Sequence, residues 1–372
     1  MAHHHHVAVR TAAALALVPA VAVVGLAWRY SAILLHPESE VVYPDRVTAA
    51  DRGTVTLAES HLTRQPGTWG LQWDGGHALV GPTVRRTALG LVRPLLAGRP
   101  PAPGTVVIMD AGAYLDPAAR GLTVEPVDVP TALGAAHAWF VPGDSDTWAI
   151  AVHGRGASER EALRIMPTLQ KLGYPVLAIS YRNDVGSPAS PDGRYHLGDT
   201  EWHDLAAAVE LAVANGARRV VLYGWSMGGA IVGAFLHRSP NAGLVDAVVL
   251  DSPVLDWRAV LVLQTRNRHL PTALAGVAER ITARRIDADF DDLDLLSHPP
   301  RVRPPTLLLH GAADSTVPVQ PARQLAASAP ALGWPLHYEE LQDAEHTAGW
   351  NVDPERYENA VADFLSKYAP AT

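Results

Sequence analysis

The chain contains no cysteine in 372 residues. That absence excludes disulfides, thiolate metal sites and a cysteine nucleophile, and says little about compartment. Lysine is nearly absent as well, occurring only at 171 and 367. With a formal net charge of −8 and no basic stripe, the chain lacks the electrostatic footprint of a nucleic-acid partner. No internal repeat or low-complexity tract breaks the sequence. Its length is enough for one large domain and a small one.

What is present centres on Arg219-Val220-Val221-Leu222-Tyr223-Gly224-Trp225-Ser226-Met227-Gly228-Gly229-Ala230. This reads as a buried strand, a Gly-x-Ser-x-Gly turn and the small-residue start of a helix. A strand that turns straight into a helix strains the backbone at Ser226, and side chains two positions to either side would collide unless they were hydrogen. Ser226 then stands at a helix N-terminus as a candidate nucleophile. The backbone N–H of Met227 is a candidate donor to an anion forming on a substrate carbonyl.

A serine at neutral pH needs a base, and the base needs a carboxylate to orient it. The apolar run Thr306–Leu309 empties into Ala312-Ala313-Asp314, which places Asp314 on the loop after a buried strand. Asp251, Asp256 and a purely helix-capping Asp314 are the competing readings. The next strand, Leu336–Leu341, leads to Ala344-Glu345-His346, and His346 is the candidate base. His298, His310 and His337 fall before or inside strands. The order Ser, Asp, His differs from that of the trypsin-like and subtilisin-like triads. A second oxyanion donor is expected in His153-Gly154-Arg155-Gly156, from the N–H of Arg155 or, failing that, of Gly154.

Taken in order, His153–Gly156, Ile179-Ser180-Tyr181-Arg182-Asn183, Gly224–Gly229, Leu250-Asp251-Ser252-Pro253, His310–Asp314 and His346 resemble the α/β-hydrolase serine hydrolases. The likeness is to the serine-aminopeptidase-like and esterase or thioesterase group. The resemblance spans about two-thirds of the chain. It implies an α/β fold, a mostly parallel doubly wound sheet with helices on both faces, over 119–372. It also implies carboxylic ester or thioester cleavage through an acyl-enzyme, without cofactor or metal, on a small-molecule or lipid-like acyl substrate. A peptidase or acyltransferase with the same triad, or a catalytically silent binding protein, is the alternative. Trp225, Arg182 and Asn183 are the candidate substrate contacts, with loop organisation the competing role for Arg182. Asn183 stands where such sequences commonly have glycine, and asparagine tolerates a left-handed backbone. Abundant Arg, Ala, Pro and Gly with little Lys suggest a high-G+C, actinobacterial-like coding style.

The remaining segments carry weaker signals. An insertion at 254–305 reads as two helices, Trp257–Asn267 and Thr272–Ile281, followed by an acidic patch from Asp287 to Asp292 that suits capping better than metal binding. Residues 40–118 read as a small β-rich region, with strands at Val41–Val47, Thr54–Leu57, Thr68–Trp73, Ala78–Val80 and Thr105–Met109. Residues 1–6 look like a tag. The uncharged stretch Thr11–Trp28 within 7–35 predicts an N-terminal membrane anchor, facing either side, with a cleaved signal peptide (hence secretion) or a buried helix as alternatives. Oligomeric state has no signature in the sequence.

Overall fold

A computed structural model describes residues 23–37 and 41–371. After a helix α1 (23–35) come seven antiparallel strands: β1 (Asp45–Ala50), β2 (Thr54–Leu57), β3 (Trp69–Trp73), β4 (Gly76–Val80), β5 (Arg85–Thr87), β6 (Gly90–Gly98) and β7 (Val106–Asp110). Their order is β2-β1-β7-β3-β4-β6-β5, and β2 also pairs with β6. Six strands therefore close on themselves, which removes the open edges of a small sheet. Val47, Leu57, Trp69, Leu71 and Val107 fill the interior. Trp69 is among these core residues, at 3% exposure.

Two of these strands, β5 and β6, escape the sequence reading, because Pro94 interrupts the apolar run Leu91–Leu96 and proline disfavours a central strand. The ladder accommodates it by using its carbonyl, which accepts from the Gly81 N–H at 2.9 Å. Its neighbour Arg93 is fully buried and donates to the carbonyls of Thr63, Gln65, Gly67 and Gly81. One side chain thereby satisfies the carbonyls of two buried loops.

The large sheet runs β15 (Leu336–Leu341), β14 (Thr306–Gly311), β13 (Val245–Asp251), β12 (Arg219–Trp225), β10 (Thr147–Val152), β11 (Val176–Ile179), β9 (Gly134–Val141), β8 (Glu125–Thr131). Strands β10 to β15 are parallel, and β8 and β9 form the antiparallel opening hairpin. Every residue of β10 is buried, as expected of a strand covered on both faces. Ile150 and Val152 point into the core beneath α3 (Trp202–Ala214) and α4 (Met227–Arg238). Ala149 and Ala151 point to the other side, into the core shared with α2 (Met166–Lys171) and α9 (Pro354–Tyr368). The stretch after β10 leads through a 3-10 turn at Glu159–Arg164 into α2. The insertion forms α5 (Trp257–Asn267) and α6 (Ala273–Ile286), the second running five residues past its expected end.

The membrane anchor is not supported: no helix among the described residues is long and apolar enough to cross a bilayer. Residues 7–22 of the expected anchor, and the tag at 1–6, lie outside the described residues. The apolar character of the described part has a different cause. Ala27, Ser31 and Leu35 are fully buried along one stripe of α1, and Leu26, Tyr30 and Leu34 pack beside them on the hydrolase core. The Tyr195 N–H donates to the Leu35 carbonyl at 2.8 Å. Arg285 donates to Ser31 Oγ at 3.1 Å and lies over the Trp28 ring. The membrane-anchored localisation and the membrane as a partner fall with the anchor.

Candidate active site

Strand β12 ends at Trp225 and α4 begins at Met227, so one residue makes the whole turn. Ser226 takes φ 48° and ψ −117°, a combination that L-residues adopt only under constraint. The glycines around it are required by contact. A Cβ on Gly224 would sit 2.8 Å from the Gly228 carbonyl oxygen, and one on Gly228 would collide with the Val152 carbonyl. Hydrogen bonds from the Ser226 N–H to the Asp251 carbonyl and from the Val254 N–H to the Ser226 carbonyl, each 3.0 Å, hold the strained peptides.

His346 Nε2 lies 2.9 Å from Ser226 Oγ, and its Nδ1 lies 2.8 Å from Asp314 Oδ2. Asp314 Oδ1 accepts the N–H groups of Thr316 and Val317, at 2.8 Å each. His310 Nε2 approaches Oδ2 from behind at 3.3 Å. Burial pushes the Asp314 carboxyl up, but the neighbouring charge of His346 and the hydrogen bonds from both histidines hold it well below the carboxylate range. Burial lowers the His346 imidazole, and the Asp314 charge outweighs it and raises the pKa above the ordinary value.

The competing acids have other partners. Asp251 is buried beneath the turn and accepts from Tyr357 and Ser252, and Asp256 caps α5 through the Arg258 N–H. His310, set aside in the sequence reading as lying inside a strand, sits at the end of β14 where it reaches Asp314. Glu345 was missed altogether. Its Oε2 accepts the N–H groups of both His346 and Ser315, so one carboxylate ties the base loop to the acid loop.

The loop after β10 passes beside the serine, with the Gly154 Cα so near that a Cβ would lie 3.0 Å from Ser226 Cβ. The Gly154 N–H is already spent on Glu161 Oε2 at 2.8 Å, which removes it from the candidate oxyanion donors. The Gly154 carbonyl accepts from Tyr181 Oη at 3.0 Å and faces His153 Nδ1 at 2.8 Å. In a trans peptide the N–H points opposite the carbonyl, so the Arg155 N–H is turned away from Tyr181. His153 is buried and pairs with Asp184 at 2.9 Å. Its imidazole, lowered by burial, is driven up to about 9 by that carboxylate. The Met227 N–H, first in its helix, has no acceptor within that helix.

The three expected substrate contacts lie elsewhere. Trp225 is buried and stacks on Tyr223 at 4.2 Å. Arg182 forms a bidentate pair with Asp204, at 2.8 and 2.9 Å. Asn183 adopts φ 73°, the left-handed turn that its glycine-like position demands, and its amide bridges Arg194 and Ser190. Arg182 and Asn183 hold loops, and Trp225 packs within the core beside its own strand. The cavity that does reach Ser226 and His346 is lined by Tyr30, Leu34, Arg155, Trp257, Leu261 and Val317 among others, with a volume of about 240 Å3. The acidic patch lies apart from it: Asp291 pairs with Arg258 at 2.8 Å, Asp289 caps a turn, and Asp287 ends α6 with φ 50°.

The Prolyl oligopeptidase family matches residues 163–372, which include the serine turn, the acid loop and the base loop. The chain belongs to the prolyl oligopeptidase family. That membership and the parallel sheet make it an α/β-hydrolase of the serine hydrolase class. Residues 46–110 match a separate family, Domain of unknown function (DUF8805), over the closed β-region. Among curated proteins, the α/β hydrolase domain-containing protein WAV2 of Arabidopsis thaliana is 26% identical over 271 residues, 69% of this chain and 83% of that one. The uncharacterized protein YfhR of Salmonella typhimurium is 25% identical over 247 residues, 62% and 76% of the two chains. Among solved structures, the Pyrococcus furiosus esterase Pf2001 superposes with a TM-score of 0.57 at 22% identity, over 68% of this chain and 95% of that one. An esterase of the bacterial hormone-sensitive lipase family gives 0.50 at 20%, over 65% and 82%. These superpositions establish the shared fold.

Proposed function

We propose that the protein hydrolyses carboxylic esters or thioesters through an acyl-enzyme on Ser226. The observation that carries this reading is the unbroken chain Asp314–His346–Ser226, with contacts of 2.8 and 2.9 Å, opening on one cavity. His346 takes the Ser226 proton as Oγ attacks the carbonyl carbon, and Asp314 holds the imidazole in the tautomer that presents a bare Nε2. The N–H groups of Met227 and Arg155 stabilise the oxyanion. His346 then protonates the departing alcohol or thiol, and water, activated by the same base, releases the acid and restores Ser226. No cofactor or metal enters any step.

The family's name favours a second reading, a peptidase with the same triad. The composition of the cavity favours the ester. Its described lining holds Arg155 and Arg268 but no carboxylate, and a peptide's terminal ammonium needs a carboxylate to replace its water. Neutral acyl esters need none.

The test is labelling by a fluorophosphonate probe, run on wild type, Ser226→Ala and His346→Ala, with p-nitrophenyl esters and aminoacyl anilides as parallel substrates. Wild type alone should label, and either substitution should lower ester turnover on the order of a million-fold. Faster turnover of anilides than of esters would move the assignment to the peptidase. An unlabelled, folded wild type would sink the mechanism.

A further inference from the structure

The geometry points to α1 as the wall that sets acyl-chain length, a specificity element outside the family-matched segment; the inference rests on the acyl-enzyme reading above. Tyr30, Ile33 and Leu34 line the cavity that holds Ser226 and His346. They are spaced i, i+3 and i+4, which puts them on one face of the helix. The stripe Ala27, Ser31 and Leu35 next to them is fully buried. One stripe therefore fixes the helix while the adjacent face lines the cavity, opposite Trp257 and Leu261 of α5 and Leu274 of α6.

Three further contacts hold this wall in register with the reacting groups. Arg155, whose backbone lies beside Ser226, reaches the Ile33 carbonyl with its guanidinium at 3.5 Å. Arg268, just past α5, covers the Tyr30 ring at 5.1 Å and ties α1 to the opposite wall. The Tyr195 N–H pins the C-terminal end of the helix at Leu35. A cavity of about 240 Å3 falls below the roughly 300–1,000 Å3 usual for drug-sized ligands. Its apolar facing walls and its lack of carboxylates exclude a cationic group and fit an acyl chain of short to medium length. A long lipid chain would have to displace α1.

The experiment measures kcat/KM for p-nitrophenyl acetate, butyrate, hexanoate, octanoate and dodecanoate, normalised to active sites counted by fluorophosphonate labelling. Wild type should gain about fourfold per methylene up to hexanoate or octanoate, then fall at dodecanoate. Leu34→Ala opens the wall and should raise dodecanoate about tenfold relative to acetate. Ile33→Trp narrows the mouth and should lower octanoate about tenfold relative to acetate. Ile33 is 48% exposed, so this second variant folds even where a cavity at Leu34 is costly. Chain-length ratios that are the same in labelled wild type and both variants would overturn the wall and leave the triad standing. A folded wild type that does not label would overturn both.

Discussion

His346 lies between the Ser226 hydroxyl, which the proposed mechanism has it deprotonate, and a carboxylate that makes it more basic, with its side chain only 19% exposed. Burial alone would lower its pKa. The charge of Asp314 reverses the sign, so the neutral imidazole that can act as a base prevails only above the ordinary histidine value of about 6.5. The profile of kcat/KM against pH should therefore show one rising limb with its midpoint above that value. In Asp314→Asn the raising charge is gone and burial remains, so the midpoint should move to lower pH while turnover drops on the order of ten-thousand-fold. A midpoint unchanged by that substitution would remove Asp314 from the triad. His310, touching the same carboxylate oxygen at 3.3 Å, adds a donor that helps keep the acid ionised.

At the level of elements, the segment that carries His346 is held from outside the hydrolase sheet. Helix α8 (Gly349–Val352) follows the base loop directly, and its fully buried Asn351 donates to the carbonyls of Thr68 and Ala111 of the β-region, at 2.8 and 2.9 Å. The Asn351 side-chain oxygen accepts from Arg164 at 3.2 Å, and that guanidinium also reaches the Thr347 carbonyl. Asn351→Ala leaves two part-buried carbonyls short of a donor and a buried cation short of an acceptor. It should cost about 2–4 kcal/mol in urea unfolding and lower kcat more than it changes KM. A loss below about 0.5 kcal/mol with unchanged kcat would make this bridge incidental. The sequence could not announce it, because nothing near Asn351 distinguishes a clamp from a solvent-facing amide. The serine turn and the two loops were legible for the opposite reason: strand, turn and loop lie within about ten residues of each reacting group, and sterics act locally. Helix α1 was misread because a helix buried along one stripe and lining a pocket along the next is apolar over most of its circumference, as a membrane helix is. Trp225, Arg182 and Asn183 were legible as special positions. Their partners, Tyr223, Asp204, Arg194 and Ser190, were not, although loop organisation was already the competing role for Arg182.

Across the whole molecule, the closed β-region and the hydrolase domain meet on the stretch 345–351. His61 reaches Glu345 at 2.7 Å, the same carboxylate that ties His346 to Ser315. Ala348 is fully buried in the interior cluster of the β-region, and Gly67, with φ 83°, lies so close to the Asn351 carbonyl that any Cβ would strike it. The reactive loop is thus part of both cores, and neither domain can open without exposing groups that the other satisfies. That arrangement predicts one calorimetric transition, with van't Hoff and calorimetric enthalpies equal, even though the chain has two domains and two-domain chains commonly unfold in steps. Fluorophosphonate modification of Ser226 should raise that single Tm as a whole. Gly67→Ala forces the two surfaces apart without touching the triad, and should split the transition in two, with ester turnover lost across the lower one. The coupling would be refuted by wild type that already unfolds in two separate steps, or by a Gly67→Ala protein that keeps both its single transition and its full activity.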